Sequence, residues 1–193
     1  MSVDETTPSA RRVELLERAY QYALSQGLGD MSLRPLAAAI GSSPRVLLFL
    51  FGSKDGLVRE LLARARTDEL ALLDRLPHGL DGAGLAGAVE QVWGWLAAEE
   101  RRPLLTLWAE AYTRSLVEPD GAWAGFARAT VEDWLAVLAK CQPAQERDGD
   151  DGMARRTAAL AVLRGALLDL LATGDIGRVT AAVRGQLGAW GAP

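Results

Sequence analysis

The chain has 193 residues, of which 49% are hydrophobic and 24% charged, as in an ordinary globular protein. A single cysteine, Cys141, excludes an internal disulfide, and a single histidine, His78, leaves no cluster of ligands for a structural zinc ion. The formal net charge of −4 is unevenly spread: residues 9–66 hold nine Arg or Lys against five Asp or Glu, whereas residues 67–193 hold twelve against eighteen. A basic first third is a weak indication of a nucleic-acid-binding module, because charge segregation is also common on solvated surfaces.

The first ten residues are polar and acidic, which predicts a flexible arm rather than a signal or transit peptide. The longest apolar stretch, residues 158–172, is interrupted by Arg164 and Asp169 and is too short to span a bilayer. These features predict a cytoplasmic protein that does not bind a membrane.

Apolar residues recur at helical spacing along almost the whole chain, and no stretch alternates with the period of a strand. The sequence therefore predicts an all-α protein of about nine helices. Capping serine residues and glycine residues mark the limits of the first four helices. We expect these helices at residues 11–25, 33–40, 44–51 and 54–76.

The third helix has the clearest start signal. Ser43 can cap it, and Pro44 follows at the one helical position where a missing N–H costs nothing. Gly52 can end it, and Ser32 and Ser53 can cap the second and fourth helices in the same way.

Residues 77–87 are rich in glycine and predict a hinge with little regular structure. An acidic loop is expected at residues 143–152. The helices beyond the hinge are expected at residues 88–98, 103–116, 122–141, 153–173 and 176–190.

Two short helices joined by a glycine turn and braced by the first helix match a DNA-binding helix-turn-helix, whose second helix enters the major groove. Residues four apart share one side of a helix, so Leu47 and Phe51 should pack inward while Arg45 and Phe49 point outward. A short helix on a small bundle has a single inward face, so the apolar run 46–51 cannot all be core. We expect the outward side to contact a partner.

The segment 32–57, SLRPLAAAIGSSPRVLLFLFGSKDGL, resembles the DNA-binding segment of the TetR family of transcriptional regulators. The family pattern is a capping Ser or Thr, a helix ending in Ala-x-x-x-Gly, a Ser, a Leu-aromatic-x-aromatic-Phe run, and a small residue followed by Ser-Lys-Glu-x-Leu. This chain aligns with that pattern without gaps at Ser32, Ala37, Gly41, Ser43, residues 47–51, Gly52, Ser53, Lys54, Asp55 and Leu57. It departs from the pattern at residues 48–50, where apolar side chains replace the usual tyrosine and histidine. The departure leaves two alternatives: a domain that recognises DNA through more apolar contacts, or a domain that no longer binds DNA tightly.

The resemblance implies a homodimer that binds a near-palindromic operator in double-stranded DNA, most simply as a repressor. Binding of a small, largely apolar effector would release this homodimer from the DNA. The resemblance also implies a helix-turn-helix domain over residues 11–57, continuing into a linker helix at 54–76, and a ligand-binding and dimerisation domain over residues 77–193. The side chains expected at DNA are Ser32, Arg34, Ser42, Ser43, Pro44, Arg45, Val46, Leu48, Phe49 and Lys54. Arg34, and less strongly Arg11 and Arg12, are candidates for contact with the DNA backbone. The alternative for each is an exposed charge that contacts only solvent.

The helix at 153–173 is apolar on two sides, whereas packing against one neighbour requires only one apolar side. One side would pack on its own subunit and the other in a four-helix bundle across a two-fold axis, with burial inside one subunit as the alternative. The expected interface residues are Ala158, Ala161, Val162, Gly165, Leu168, Val179, Val183 and Leu187.

Five of the six tryptophans lie in residues 88–141. Aromatic residues at helical spacing are commonly core, and as a group they also suit an apolar effector cavity. The expected ligand-binding residues are Trp93, Leu96, Trp108, Tyr112, Trp123, Phe126 and Trp134.

Two other functional classes compete with a regulator. An enzyme is disfavoured because the sequence holds no nucleophile, phosphate-binding or metal motif, and we expect neither catalysis nor a metal or cofactor. A ligand-binding or protein-interaction module that keeps the helix-turn-helix scaffold without DNA affinity is the main alternative. Salt-dependent binding to DNA distinguishes it from a regulator.

Overall fold

The structure is a computed structural model that describes residues 10–73 and 84–191. Within these residues it contains ten α-helices and no strand, which confirms the all-α prediction. Two 3-10 turns, Glu99–Arg101 and Gly121–Trp123, lie between helices. The helices are α1 (Ala10–Gln26), α2 (Leu33–Ala39), α3 (Pro44–Phe51), α4 (Lys54–Leu73), α5 (Gly84–Leu96), α6 (Arg102–Val117), α7 (Phe126–Lys140), α8 (Ala144–Arg147), α9 (Asp150–Thr173) and α10 (Ile176–Gly191).

Helix α3 begins and ends where its sequence predicts. The Ser43 hydroxyl accepts a hydrogen bond from the Val46 N–H at 3.3 Å, and proline occupies the first helical position. Gly52 follows the last residue with a φ of 76°, and its N–H donates to the Leu48 carbonyl at 2.9 Å. Glycine reaches this positive φ without the steric cost that a Cβ would add.

The serines before α4 and α2 behave differently. Ser53 caps α4 as predicted, because its hydroxyl accepts from the Gly56 N–H at 2.9 Å. Ser32 has the extended backbone of a capping residue, yet its side chain makes no capping hydrogen bond. Ser32 therefore occupies the N-cap position as predicted, but the expected hydrogen bond from its side chain is absent.

One hydrophobic cluster holds the first four helices together. It also takes in residues of α6 and the segment 122–126, and so extends beyond the predicted domain boundary at residue 57. Its most buried side chains include Leu15, Tyr20, Leu36, Leu47, Leu57, Leu61, Leu107 and Ala111.

A second hydrophobic cluster fills the space between α5, α6, α7, α9 and α10. Its fully buried members include Val89, Val92, Leu138 and Val183. Trp108 on α6 packs against both clusters, so α6 joins the two halves of the subunit.

The predicted hinge at residues 77–87 is wrong for residues 84–87, which form the first turn of α5. Residues 77–83 lie outside the described residues, as do residues 74–76 at the end of the predicted fourth helix. Burial of Ala88, Val89 and Val92 in the second cluster outweighs the low helix propensity of the glycines beside them.

Two further boundaries differ from the prediction. Helix α7 starts at Phe126 rather than at residue 122, because Ala124, with a ψ of 127°, and Gly125, with a φ of 74°, separate it from the preceding 3-10 turn. The predicted acidic loop at 143–152 contains α8 and the first turn of α9, where Asp150 and Asp151 suit the positive end of the helix dipole.

Within the described part of the chain, no single helix is long and apolar enough to cross a membrane. Taken together, helices α2 and α3 have the length and apolar composition that a bent membrane span would need, with a bend of 101° at the break between them.

Candidate nucleic-acid interface and internal cavity

Helices α2 and α3 form a helix-turn-helix unit. The 101° between them falls within the range for such units, and Gly41 turns the chain with a φ of 68°. The Ser42 N–H donates to the Ala37 carbonyl at 2.8 Å and closes the turn. Backbone geometry thus fixes the direction in which α3 leaves α2.

The two sides of α3 differ sharply in exposure. Leu47 and Phe51 are buried, at 1% and 8% exposed, whereas Phe49 is 87% exposed. Val46 and Leu48 are also exposed, at 38% and 42%. The predicted inward and outward sides of this helix are confirmed. Three exposed apolar side chains on one short helix are a feature of surfaces that contact a partner.

Arg12 braces α3 from behind. Its guanidinium lies 5.4 Å from the centre of the Phe51 ring, and its Nη2 donates to the Glu60 carboxylate at 2.6 Å. Its Nε also donates to the Leu50 carbonyl. These contacts tie α1, α3 and α4 together, so Arg12 contributes to the packing of the helix-turn-helix half.

The candidates for DNA contact differ in exposure. Ser32, Arg34, Ser43, Arg45 and Lys54 are exposed, while Ser42 and Pro44 are half-buried. In the described part of the chain none of the three cationic side chains in this set forms an ion pair. Their charge is therefore available to a phosphate or a base.

An internal cavity of about 40 Å³ lies between α4, α5, α6, α7 and α9. Its walls are almost wholly apolar, with two charged side chains among them. The lining residues are Ala65, Glu69, Trp95, Leu96, Leu104, Leu105, Trp108, Phe126, Trp134, Leu160, Leu163, Arg164 and Leu167.

Four of the seven predicted ligand-binding residues line this cavity, namely Leu96, Trp108, Phe126 and Trp134. The other three lie elsewhere. Trp93 donates from Nε1 to the Thr180 hydroxyl at 3.0 Å, which fixes α5 to α10. Tyr112 stacks on Trp108, with ring centres 5.1 Å apart, and Trp123 is buried in the first cluster.

Glu69 is a buried carboxylate in the cavity wall, 6% exposed. The Trp134 indole N–H donates to its Oε1, and Oε2 has no hydrogen-bond partner. Desolvation raises the pKa of Glu69 to about 7, and the nearby Asp133 carboxylate adds to the rise. The side chain is thus close to half-protonated at neutral pH.

Arg164 is the second charged group in the cavity wall. Its guanidinium lies 4.9 Å from the centre of the Tyr112 ring. Both Nε and Nη2 are buried and have no hydrogen-bond partner.

Sequence reasoning overlooked Glu69 and Arg164, although both carry a signal. Glu69 follows Ala65 by four residues and so continues the buried side of α4. Arg164 follows Leu160 by four residues and precedes Leu167 by three, which places a charge in line with two core leucines.

The predicted dimer residues divide between the surface and the core. Ala158, Ala161, Gly165 and Leu168 form an exposed strip along α9, and Val162 and Leu187 are half-buried. The prediction is wrong for Val179 and Val183, which are 2% and 1% exposed in the subunit's own second cluster. One turn apart on α10, they face the subunit's own core rather than a partner.

Glu110 links the cavity-lining helix α6 to the helix-turn-helix half. Its Oε2 accepts from the Leu28 N–H at 2.9 Å, and its Oε1 accepts from the Gly29 N–H. The carboxylate is so close that a side chain on Gly29 would collide with it. Glu110 thus connects α6 directly to the backbone of the loop between α1 and α2.

No group of three or more His, Cys, Asp or Glu residues in residues 10–73 and 84–191 is arranged to hold a metal ion.

Comparison with solved structures identifies the fold. A transcriptional regulator from Rhodococcus sp. superposes with a TM-score of 0.73 over 92% of this chain and 94% of its own, at 20% identity. A TetR-family regulator from Agrobacterium tumefaciens covers 95% and 98% with a TM-score of 0.67, also at 20% identity. The multidrug binding protein EbrR, solved with imidazole, covers 97% and 96% with a TM-score of 0.68 at 22% identity.

No protein-family model matches the sequence, and no curated protein does either. The superpositions show that the chain has the fold of TetR-type transcriptional regulators, an N-terminal helix-turn-helix followed by a larger helical part. Residues 32–57 predict the same fold.

Proposed function

We propose that this protein is a cytoplasmic DNA-binding transcriptional regulator that binds a near-palindromic operator as a homodimer, acts as a repressor, and is released by a small effector. The observation that carries this proposal is the open outer side of α3, where Phe49 is 87% exposed beside the exposed Arg45. An exposed aromatic group next to an unpaired cation, on the second helix of a helix-turn-helix, suits a major groove.

Each exposed group on α3 has a contact that it can make with DNA. Arg45 can donate two hydrogen bonds to the O6 and N7 of a guanine, and Phe49 or Leu48 can pack on a thymine methyl. Ser43 and the Arg45 N–H at the start of α3 suit a phosphate, as does Lys54 at the start of α4. Base reading and backbone anchoring are thus both within reach of one short segment.

The experiment that tests this proposal measures binding to random duplex DNA at several salt concentrations. For the wild type, the logarithm of the affinity should fall steeply with the logarithm of salt, because bound phosphates release counterions. Lys54→Ala should weaken binding and reduce that slope by about one, because a phosphate contact is lost, and Arg45→Ala should weaken binding because a base contact is lost. Arg128→Ala is the matched control, because Arg128 is exposed but lies on α7, outside both the helix-turn-helix and the proposed dimer helices.

Unchanged affinity in both Arg45→Ala and Lys54→Ala would contradict the proposed reading face. The result would favour the second candidate, a binding module on the same scaffold without DNA affinity. That candidate is supported by the apolar side chains of residues 48–50, which cannot replace hydrogen bonds to phosphate.

The effector in this proposal binds in the internal cavity and acts through α6. The walls are apolar, and the present volume of about 40 Å³ is far below the several hundred Å³ of a drug-sized site. A ligand must therefore move the walls, among them Trp108 on α6. Glu110 on the same helix would carry that movement to the α1–α2 loop, and a preference of about 1–3 kcal/mol for one conformation suffices to shift DNA affinity.

The homodimer in this proposal forms through α9 and α10. The exposed strip of Ala158, Ala161, Gly165 and Leu168 lets two copies of α9 approach closely, with Leu168 as a large apolar contact, 48% exposed. Two helices from each subunit would form a four-helix bundle about a two-fold axis.

A further inference from the structure

The two charged groups of the cavity differ in how well the protein satisfies them. Glu69 receives the Trp134 N–H on one oxygen, and the Trp108 indole is close enough to lower its pKa. Arg164 has no such support, since both Nε and Nη2 are buried without an acceptor. Two buried guanidinium donors without an acceptor are costly, and the cost disappears when an acceptor binds.

The unused donors of Arg164 lie on one edge of its guanidinium. The N–H groups of Nε and Nη2 are parallel and coplanar, and their spacing matches the two oxygens of a carboxylate. The Tyr112 ring covers the face of the guanidinium, with a centroid distance of 4.9 Å, and Tyr112 is itself held by stacking on Trp108. The aromatic pair fixes the plane of the group, while its Nε–Nη2 edge makes no hydrogen bond.

Building on the proposed effector function of this cavity, we infer that the effector is a monocarboxylate with an apolar body. Its carboxylate pairs with the Nε–Nη2 edge of Arg164. Its apolar part lies among Trp95, Trp108 and the leucines of α6 and α9, which line the same space.

A cationic effector fits the same cavity less well. It would approach the uncompensated charge of Arg164 in a site of low dielectric, where like charges repel strongly. Glu69 would be its partner, yet that carboxylate already accepts from Trp134 and is close to half-protonated at neutral pH.

Three probes with similar bodies and different head groups test the inference: phenylacetate, phenylacetamide and phenethylamine. Octanoate and octanamide repeat the acid and amide comparison with a flexible chain that suits a narrow cavity. Calorimetric titration of the protein in the absence of DNA gives each affinity. We expect each acid to bind at least about tenfold more tightly than its amide, and phenethylamine to bind more weakly than phenylacetate.

Arg164→Met tests the residue, because it keeps an apolar side chain of similar length and removes the charge. It should weaken phenylacetate binding about tenfold and change phenylacetamide binding by less than about twofold. Arg155→Met is the matched control on the same helix, since Arg155 is exposed and pairs with Glu146. The wild-type series tests the inference even if Arg164→Met fails to fold.

Equal binding of acids and amides, tighter binding of phenethylamine, or no detectable binding of either acid would overturn the inference. Arg45→Ala should bind phenylacetate as the wild type does. A failure of the DNA-binding proposal and a failure of the carboxylate inference therefore give separate results.

Discussion

Glu69 shows how one buried residue should set the pH dependence of stability. Desolvation raises its pKa from 4.5 to about 7, so the folded chain keeps a proton in this range that the unfolded chain has lost. The contribution of Glu69 to the free energy of unfolding is greatest below pH 4.5, falls as the pH rises to about 7, and is constant above that. A shift of this size corresponds to about 3 kcal/mol.

Glu69→Gln should remove this dependence, because the amide can still accept from Trp134 but does not ionise. Relative to the wild type, the variant should gain about 3 kcal/mol in the free energy of unfolding between about pH 4.5 and about pH 8. Urea denaturation at both pH values measures the gain. Glu132→Gln, at an exposed position on α7, should show no such change, and a Glu69→Gln difference that is the same at both pH values would contradict the assignment.

At this scale the sequence predicts exposed residues better than cavity residues. Arg45 and Phe49 could be assigned from α3 alone, since the side that faces the bundle follows from residue spacing. The surroundings of Glu69 and Arg164 depend on four or five helices that meet in space, which spacing within one helix does not describe.

Helix α3 is the element that the sequence predicts most completely. Its limits follow from Ser43, Pro44 and Gly52, whose effects act within one turn of the chain. The starts of α5 and α7 were less predictable, because one depends on burial in a distant cluster and the other on the backbone conformation of Gly125.

The two sides of α3 should separate stability from DNA binding. Leu47→Ala should lower the free energy of unfolding by about 2–5 kcal/mol, because Leu47 is 1% exposed in the core. Phe49→Ala should change it by less than about 0.5 kcal/mol while weakening DNA binding. Urea denaturation and DNA titration at one salt concentration measure both effects, and a Phe49→Ala variant as unstable as Leu47→Ala would show that this side of α3 is packed.

At the scale of the whole molecule, the proposed function requires two subunits in a fixed relation. The sequence indicated a second apolar side of α9, and the subunit leaves four of those residues exposed. It did not indicate that Val179 and Val183 face inward, because α10 carries both small and branched residues around its circumference.

Gly165 offers a way to disturb the dimer without disturbing the subunit. A Cβ added there meets no atom within 4 Å, so Gly165→Glu fits the folded chain and places a charge on the exposed strip of α9. Glutamate is also a better helix former than glycine, so any loss of DNA binding in this variant cannot come from a weakened helix.

The most direct test of the central claim is a hydroxyl-radical footprint on duplexes selected by the protein from its own genomic DNA. The wild type should protect two segments of similar sequence whose centres lie about one helical turn, about 34–36 Å, apart. Gly165→Glu should lose this paired protection, and Arg45→Ala should weaken both segments equally. A single protected segment that persists in Gly165→Glu, or protection unchanged by Arg45→Ala, would contradict a dimeric regulator that reads DNA through α3.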